Sequence, residues 1–168
     1  MNKRMFVATA LTLVCGLTII SLIKANAAEL TGTVRVINHA GVQTVMKAAA
    51  EAATRLEAPC AIAVVDRGGI LVGFDRMDGV RGGSPDLAIE KARASALLER
   101  PTSETENSIN KGRTAFVTAD FLSLRGGVPR VAGGEVVGAI GVAGLNKDND
   151  VKIATAAAEA FAKSASLR

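Results

Sequence analysis

Two segments of this chain share a pattern that narrows the possible folds, because each joins two apolar runs through a pair of glycines. In the first, residues 61–66 and 70–76 flank a turn that contains Gly68-Gly69, and the second has the same form around Gly133-Gly134. Glycine readily adopts the positive φ angles that a tight turn between antiparallel strands requires. The sequence therefore predicts two β-hairpins.

The second strand of the later hairpin, residues 136–142, is apolar at every position apart from its glycines. A strand without a polar face is typical of the middle of a sheet that is covered on both sides. Glycine inside a strand indicates that another part of the chain approaches the backbone closely, and we expect this at Gly138 and Gly141. A further short strand is expected at residues 33–36.

Apolar residues recur at helical spacing in the segments next to the hairpins. A first helix is predicted over residues 39–57, with Asn38 as its N-cap. A second helix is predicted over residues 84–99, where Ser84 would be the N-cap and Pro85 the first helical residue.

A short third helix is predicted after Pro101, with Ser103 and Glu106 forming a capping box and with its end near Gly112. A last helix is expected to begin near Asn149. Helices that flank two hairpins predict an α+β fold with a largely antiparallel sheet of about four to five strands in a single compact domain.

The first 27 residues have the three parts of an export signal: the basic start Asn2-Lys3-Arg4, an uncharged and mostly apolar run over 5–23, and the A-x-A site Ala25-Asn26-Ala27. The sequence predicts a signal peptide at 1–27 and a periplasmic or secreted domain at 28–168, with no stable membrane insertion after cleavage. The alternative is an uncleaved membrane anchor, because the apolar run approaches the roughly 20 residues that span a bilayer.

Charge and cysteine content exclude several classes of function. Three of the 20 basic residues, Lys3, Arg4 and Lys24, precede residue 28 and none of the 16 acidic residues does, so the domain is close to neutral. It has no Trp or Tyr to stack on bases, and we expect no nucleic acid partner. Cys60 is its single cysteine, which excludes an intrachain disulfide and is expected to be a buried thiol. The alanine-rich helices favour a homo-oligomer.

An ordered series of short motifs runs from about residue 33 to the end of the chain. The motifs are Ala63-Val64-Val65-Asp66, Gly68-Gly69, Phe74-x-Arg76-Met77-Asp78-Gly79, Ser84, Ala88-x-x-Lys91-Ala92, Arg100-Pro101-Thr102, Gly126-Gly127-Val128-Pro129 and Gly134-x-Val136-Val137-Gly138-Ala139-Ile140-Gly141-Val142-x-Gly144. The series resembles the GlcG/HbpS family, which includes extracellular haem-binding proteins and the C-terminal domain of PduO proteins. This resemblance implies a compact unit that forms symmetric oligomers and binds haem.

Haem iron needs a donor such as His, Met, Cys or Tyr, and the chain has one histidine. His39 lies in the predicted first turn of the first helix, whose N-terminal amides also favour an anionic propionate. His39 is therefore the first candidate for the iron ligand, and the alternative is a solvent-exposed or capping residue. Met77 is the second candidate, although a methionine beside a hairpin often fills a gap in the core.

Haem propionates need cations, and three candidates lie near the end of the first hairpin and in the second helix. They are Arg76, Lys91 and Arg93. Arginine can hold a carboxylate through two parallel hydrogen bonds, which lysine cannot do. The alternative is a solvated basic surface balanced by neighbouring acidic residues.

The chain departs from the family pattern at two places. Arg130 stands where an apolar residue usually follows Gly-Gly-Val-Pro, and we expect it to alter a pocket or an interface. The family usually follows its last glycine strand with a Ser-Gly loop and an Asp-Glu pair, whereas this chain has Ala143-Gly144 and then Asp150-Val151. The second departure predicts the loss of an acidic contact.

No motif of an established catalytic site is present, so we assign no catalytic residue and favour a binding protein over an enzyme. The hypothesis is an exported protein that binds haem and thereby sequesters or senses haem or iron. One alternative is an enzyme or accessory protein of glycolate- or diol-type metabolism, which the resemblance also implies. Another is a redox or iron signalling partner. Iron could also bind directly to carboxylates, for which the candidates are Asp66, Asp78, Asp86 and Glu90.

Overall fold

The computed structural model describes residues 32–166, so the predicted signal peptide lies outside the described residues. All the helices and strands among the described residues belong to one compact unit, which begins at Arg35. In chain order they are α1 His39–Arg55, β1 Ala61–Asp66, β2 Leu71–Arg76, α2 Ser84–Leu97, α3 Thr102–Asn110, a 3-10 helix Thr114–Thr118, β3 Gly127–Ala132, β4 Glu135–Ala143 and α4 Lys147–Ser166.

The four strands form one antiparallel sheet in the order β2-β1-β4-β3. Both predicted hairpins are present, β1 with β2 and β3 with β4, and they join through β1 and β4. Every residue of β4 after Glu135 is buried, which confirms that this strand lies in the middle of the sheet. The predicted α+β fold class is confirmed.

Helices cover the two faces of the sheet differently. On one face α1 and α4 pack against each other and cover a core built around Ile62, Val64, Ile140 and Val142. On the other face α2 packs against β1, β3 and β4, where the core consists mainly of alanines. The edge strand β2 is mostly exposed, in contrast to the buried β4.

The close approach predicted at the two glycines of β4 is confirmed. A Cβ at Gly141 would overlap the carbonyl oxygen of Ala88 in α2, so the helix lies directly on the strand. A Cβ at Gly138 would lie 2.5 Å from the carbonyl oxygen of Val65. Such contacts with backbone atoms leave no room for a side chain at either position.

The predicted N-cap of α1 is confirmed, because the amide of Gly41 donates to Asn38 Oδ1 at 2.9 Å. The predicted strand at 33–36 is wrong. Residues 33–36 have no strand hydrogen bonding, and the first bond from this segment to the sheet is the donation from Ile37 N to the Val137 carbonyl at 2.8 Å.

The predicted caps of the next two helices are wrong, by one residue for α2 and by two residues for α3. Ser84 is the first residue of α2 and Gly83 precedes it as the cap. Pro101 caps α3, and Ser103 does not, because α3 already begins at Thr102. The Thr102 hydroxyl accepts a hydrogen bond from the Gly127 amide at 2.9 Å, so a contact with β3 fixes this helix start.

Among the described residues, no helix combines the length and the apolar character that a membrane-spanning segment requires.

Candidate functional site

A groove of about 480 Å³ runs between helix α1 and the edge strand β2, and we call it the α1–β2 groove. Its lining residues come from residues 42–50 of α1 and from residues 72–75 of β2. They are Val42, Gln43, Met46, Lys47, Ala50, Val72, Gly73, Phe74 and Asp75. The volume falls within the range of about 300–1,000 Å³ that is usual for small-molecule sites.

Gly73 sets the depth of this groove. A Cβ at Gly73 would lie 2.6 Å from Val42 Cγ1 and 3.6 Å from Met46 Sδ, so the missing side chain lets α1 approach the strand. Phe74 pairs with Ala63, which belongs to the core beneath α2, so Phe74 lies on the opposite face of the sheet from α1. It remains 42% exposed, since α2 packs against the other three strands.

His39 is an exposed residue at the start of α1. It precedes Gln43 by four residues and Met46 by seven, and residues at these spacings share one face of a helix. Because Gln43 and Met46 line the α1–β2 groove, the His39 position lies at the N-terminal end of that groove. Helical spacing thus puts the sole histidine of the sequence on the groove side of α1, although His39 is not one of the residues that line the groove.

The groove also carries polar groups of both signs. Lys47 and Glu51 approach to 4.0 Å, with 79% and 55% of their side chains exposed. An exposed pair of this kind contributes little, so the Lys47 ammonium is available to a ligand. Gln43 adds an exposed amide, and Asp75 adds a carboxylate on the β2 side.

Met77 lies outside the α1–β2 groove. It follows β2 directly, is half-buried, and packs against the core on both faces of the sheet. Its amide donates to the Cys60 carbonyl at 3.2 Å. This position matches the alternative interpretation of Met77 as a core side chain.

Lys91, a predicted propionate partner, is buried between α2, β4 and α4. Its ammonium donates to Asp150 Oδ2 and to the Val142 carbonyl, each at 2.9 Å, and the side chain is 5% exposed. The other carboxylate oxygen of Asp150 accepts from the Gly144 amide at 2.8 Å. The ammonium is therefore occupied by partners within the protein.

The two arginines predicted as propionate partners, Arg76 and Arg93, bind different groups from Lys91 and from each other. Arg76 is exposed at the end of β2, and its Nη2 donates to the Val80 carbonyl at 3.0 Å. Arg93 is half-buried and donates to the Gly69 carbonyl at 3.2 Å and to Glu90 at 2.6 Å. The structure does not bring the three predicted cations to one site.

The carboxylates considered for direct iron binding also have local roles or lie apart. Asp66 Oδ1 accepts from the Ile70 amide at 2.9 Å and so stabilises the first hairpin turn. Within residues 32–166, no three His, Cys, Asp or Glu side chains lie close enough together to share a metal ion.

Arg130, the unusual residue of β3, is 1% exposed and lies between β3 and α4. Its Nη2 donates to the Val128 carbonyl at 2.8 Å and to the Ala154 carbonyl at 3.3 Å. Nε and Nη1 have no partner. Burial lowers the pKa of the Arg130 guanidinium to about 9, because the charged form has lost its water.

The prediction that Cys60 is buried is confirmed, with 1% of the residue exposed. Burial, followed by the negative charge of Asp150, raises the pKa of the Cys60 thiol to about 12. Since the thiolate is the reactive form of cysteine, this burial and raised pKa disfavour a nucleophilic role for Cys60 at neutral pH.

Sequence reasoning missed Gln43, Met46 and Lys47 as site residues. Their spacing from His39 was a usable signal, since residues four, seven and eight positions along a helix lie on the same face. The contribution of Gly73 had no comparable signal, because the groove depends on the tertiary approach of α1 to β2.

Residues 37–159 match the family model of the haem degrading protein HbpS-like family, and the chain belongs to this family. Protein GlcG of Escherichia coli is 41% identical over 108 residues, which cover 64% of this chain and 81% of GlcG.

Two solved structures share the fold. A double mutant of HbpS from Streptomyces reticuli is 34% identical, with a TM-score of 0.70 over 79% of this chain and 90% of that one. The PduOC:haem complex is 23% identical, with a TM-score of 0.68 over 74% of this chain and 94% of that one, a likeness of fold alone.

Proposed function

We propose that this chain is an exported protein that binds haem in the α1–β2 groove, with His39 as the iron ligand. The proposal rests on helical spacing, which puts the only histidine of the sequence on the same face of α1 as Gln43 and Met46, two residues that line the groove. The chain belongs to a family that is described by its action on haem, and this membership supports haem as the ligand. Sequestering or sensing of haem or iron outside the cytoplasm would follow from such binding.

The donors along the groove suit the separate parts of a haem. Imidazole is a common axial ligand of haem iron. Met46 lies seven residues from His39, or about 10.5 Å along the helix axis, so the two side chains cannot bind the same iron from one helix face. The Met46 thioether therefore serves as apolar contact for the ring, and the Lys47 ammonium as partner for a propionate.

We also propose that the protein is a homo-oligomer, because the groove is open and β2 is an uncovered edge strand. Four apolar residues of this region, Ile70, Leu71, Val72 and Phe74, are between 41% and 64% exposed. Contiguous apolar surface of this kind marks interaction sites. Sedimentation of residues 28–168 should give a mass above one subunit, and one subunit mass across micromolar concentrations would count against the proposal.

Export by residues 1–27 is a further part of the proposal and rests on the basic start, the apolar run and the A-x-A site. Fusion of residues 1–30 to a reporter that is active only outside the cytoplasm should give activity and a new N-terminus at Ala28. Recovery of the full-length fusion in the membrane fraction would favour the anchor.

The location of the haem can be tested with two matched substitutions on α1. Met46 and Thr44 are both half-buried, but Met46 lines the α1–β2 groove and Thr44 lies on the other side of the helix. Haem titration followed by the Soret band should saturate at one haem per chain. Met46→Glu should weaken binding at least tenfold because it places a carboxylate against the ring, whereas Thr44→Glu should change the affinity less than twofold. Equal effects would reject the groove.

The family description also names haem degradation, which the same sample can test. The saturated complex is incubated in air with ascorbate, and the Soret band is followed. A stable band supports a binding protein, while bleaching with release of iron would favour an enzyme.

A further inference from the structure

A second opening lies on the other side of α1, where the segment 35–38 and the start of α1 meet the end of α4. This α1–α4 pocket has a volume of about 300 Å³. Its lining residues are mostly apolar or small, with one charged member. Those that matter here are Arg35, Ile37, Asn38, Thr44, Val137 and Phe161.

The inner wall of the pocket is apolar and firmly packed. Ile37, Val137 and Phe161 are 6%, 3% and 9% exposed and belong to the core between the sheet, α1 and α4. The hydroxyls of Thr44 and Ser164 donate within their own helices, to the carbonyls of Ala40 at 2.9 Å and Ala160 at 3.1 Å. A ligand in the pocket therefore meets an apolar wall without free hydroxyl donors.

Among the described residues, Arg35 is the only charged one that lines this pocket. Its guanidinium rests against Gly133, where an added Cβ would overlap Nη1. Within residues 32–166 no carboxylate lies within 4.0 Å of it. Asn38 uses Oδ1 to accept from the Gly41 amide, which leaves its NH₂ group as a second donor beside the arginine.

These features exclude haem iron and favour a smaller anion. None of the described lining residues is a His, Met, Cys or Tyr, so they offer haem iron none of its usual ligands. The volume is at the lower end of the range of about 300–1,000 Å³ for small-molecule sites. Within the described part of the chain the Arg35 guanidinium has no carboxylate partner, and the charge complement of one guanidinium over an apolar wall is a single carboxylate with an apolar body.

We propose that the α1–α4 pocket is a second binding site that takes a small monocarboxylate with an apolar chain, with the carboxylate on Arg35 and the chain on Ile37, Val137 and Phe161. The site is separate from the α1–β2 groove, and its occupation requires no haem.

Octanoate is the probe, with octanol and octylamine as matched ligands that keep the chain and change the head group. Calorimetric titration of haem-free residues 28–168 should show saturable octanoate binding and at least tenfold weaker binding of the two controls. Arg35→Gln should weaken octanoate binding at least tenfold. Arg81→Gln, at another exposed arginine that lines neither opening, should leave it unchanged.

The substitutions on α1 separate this site from the haem groove. Thr44→Glu should weaken octanoate binding at least tenfold, because it puts a carboxylate in the α1–α4 pocket, and Met46→Glu should not. Arg35 is exposed, so its replacement tests the proposal even if a helix variant fails to fold. Octanol binding as tightly as octanoate, or Arg35→Gln without effect, would overturn the monocarboxylate site whatever the haem titration shows.

Discussion

Strands β2 and β4 both pair with β1, but they differ in how a helix packs on them. The helix on β4 touches the strand backbone, whereas the helix beside β2 leaves a groove open. On the β4 side, α2 lies on the sheet at Gly141 and the added Cβ would meet the backbone oxygen of Ala88. On the β2 side, α1 approaches at Gly73, where the added Cβ would meet the Val42 side chain and a groove remains open. We call the first contact the α2–β4 seam.

The difference separates the part of the molecule that holds the fold from the part that can bind a ligand. At the α2–β4 seam the backbone of α2 contacts the backbone of β4, and the buried ion pair of Lys91 with Asp150 stabilises this contact. Apart from the buried Val42, the groove is bounded by exposed or half-buried side chains that can move without breaking the sheet. Binding sites are commonly placed on such adaptable surfaces beside a rigid framework.

The largest effect is expected at the buried ion pair. Lys91→Met removes the partner of a carboxylate that is 6% exposed and leaves its charge buried. Removal of one member of a buried pair costs about 3–5 kcal/mol. Urea unfolding of residues 28–168 should show this loss in the free energy of unfolding.

A second variant distinguishes charge from packing at the same site. Lys91→Met combined with Asp150→Leu leaves no unpaired charge and should recover most of the lost free energy of unfolding. A loss below about 1 kcal/mol for Lys91→Met alone would show that the pair does not lock the seam.

The two glycines provide the next test of the comparison. Gly141→Ala forces its methyl group against a backbone oxygen and should cost about 3 kcal/mol or more, the upper end for an overpacked core. Gly73→Ala meets side-chain atoms of Val42 and Met46 and no backbone, so we expect a smaller cost of about 1 kcal/mol, the lower end for an overpacked core. Thermal unfolding of both variants measures the difference, and similar losses would contradict the contrast between seam and groove.

The smallest stability effect should have the opposite sign. Arg130 is buried with two unpartnered nitrogens, so its charge lacks the compensation that Asp150 gives Lys91. Arg130→Met should raise the free energy of unfolding by about 1 kcal/mol, since replacing a poorly paired buried charge by an apolar residue is often stabilising. A clear loss in urea unfolding would show that the guanidinium contributes net stability through Val128 and Ala154.

Most of the fold could be predicted because its signals are local. Glycine pairs marked the hairpins, the apolar run 136–142 marked the central strand, and helical spacing marked α1. The caps of α2 and α3 were misplaced by one and two residues because tertiary contacts compete with local capping, as Thr102 shows by binding the Gly127 amide.

The site was less predictable because proximity along the chain does not imply a shared site. Lys91 and Arg93 are two residues apart in α2, which turns them about 200° from each other around the helix. One is therefore buried against Asp150, while the other reaches Gly69. The residues that share a helix face with His39 can be predicted from their spacing along α1. The groove itself cannot, because it depends on the packing of α1 on Gly73.

The most direct test of the central claim is the haem spectrum of His39→Ala with and without added imidazole. We expect the variant to lose the spectrum of histidine-bound haem and to bind haem more than roughly tenfold more weakly, which corresponds to about 1.4 kcal/mol. Circular dichroism should stay close to that of the parent, because His39 is exposed and alanine favours the helix. Free imidazole should restore the spectrum. An unchanged spectrum in His39→Ala would contradict the assignment, because another group would then hold the iron.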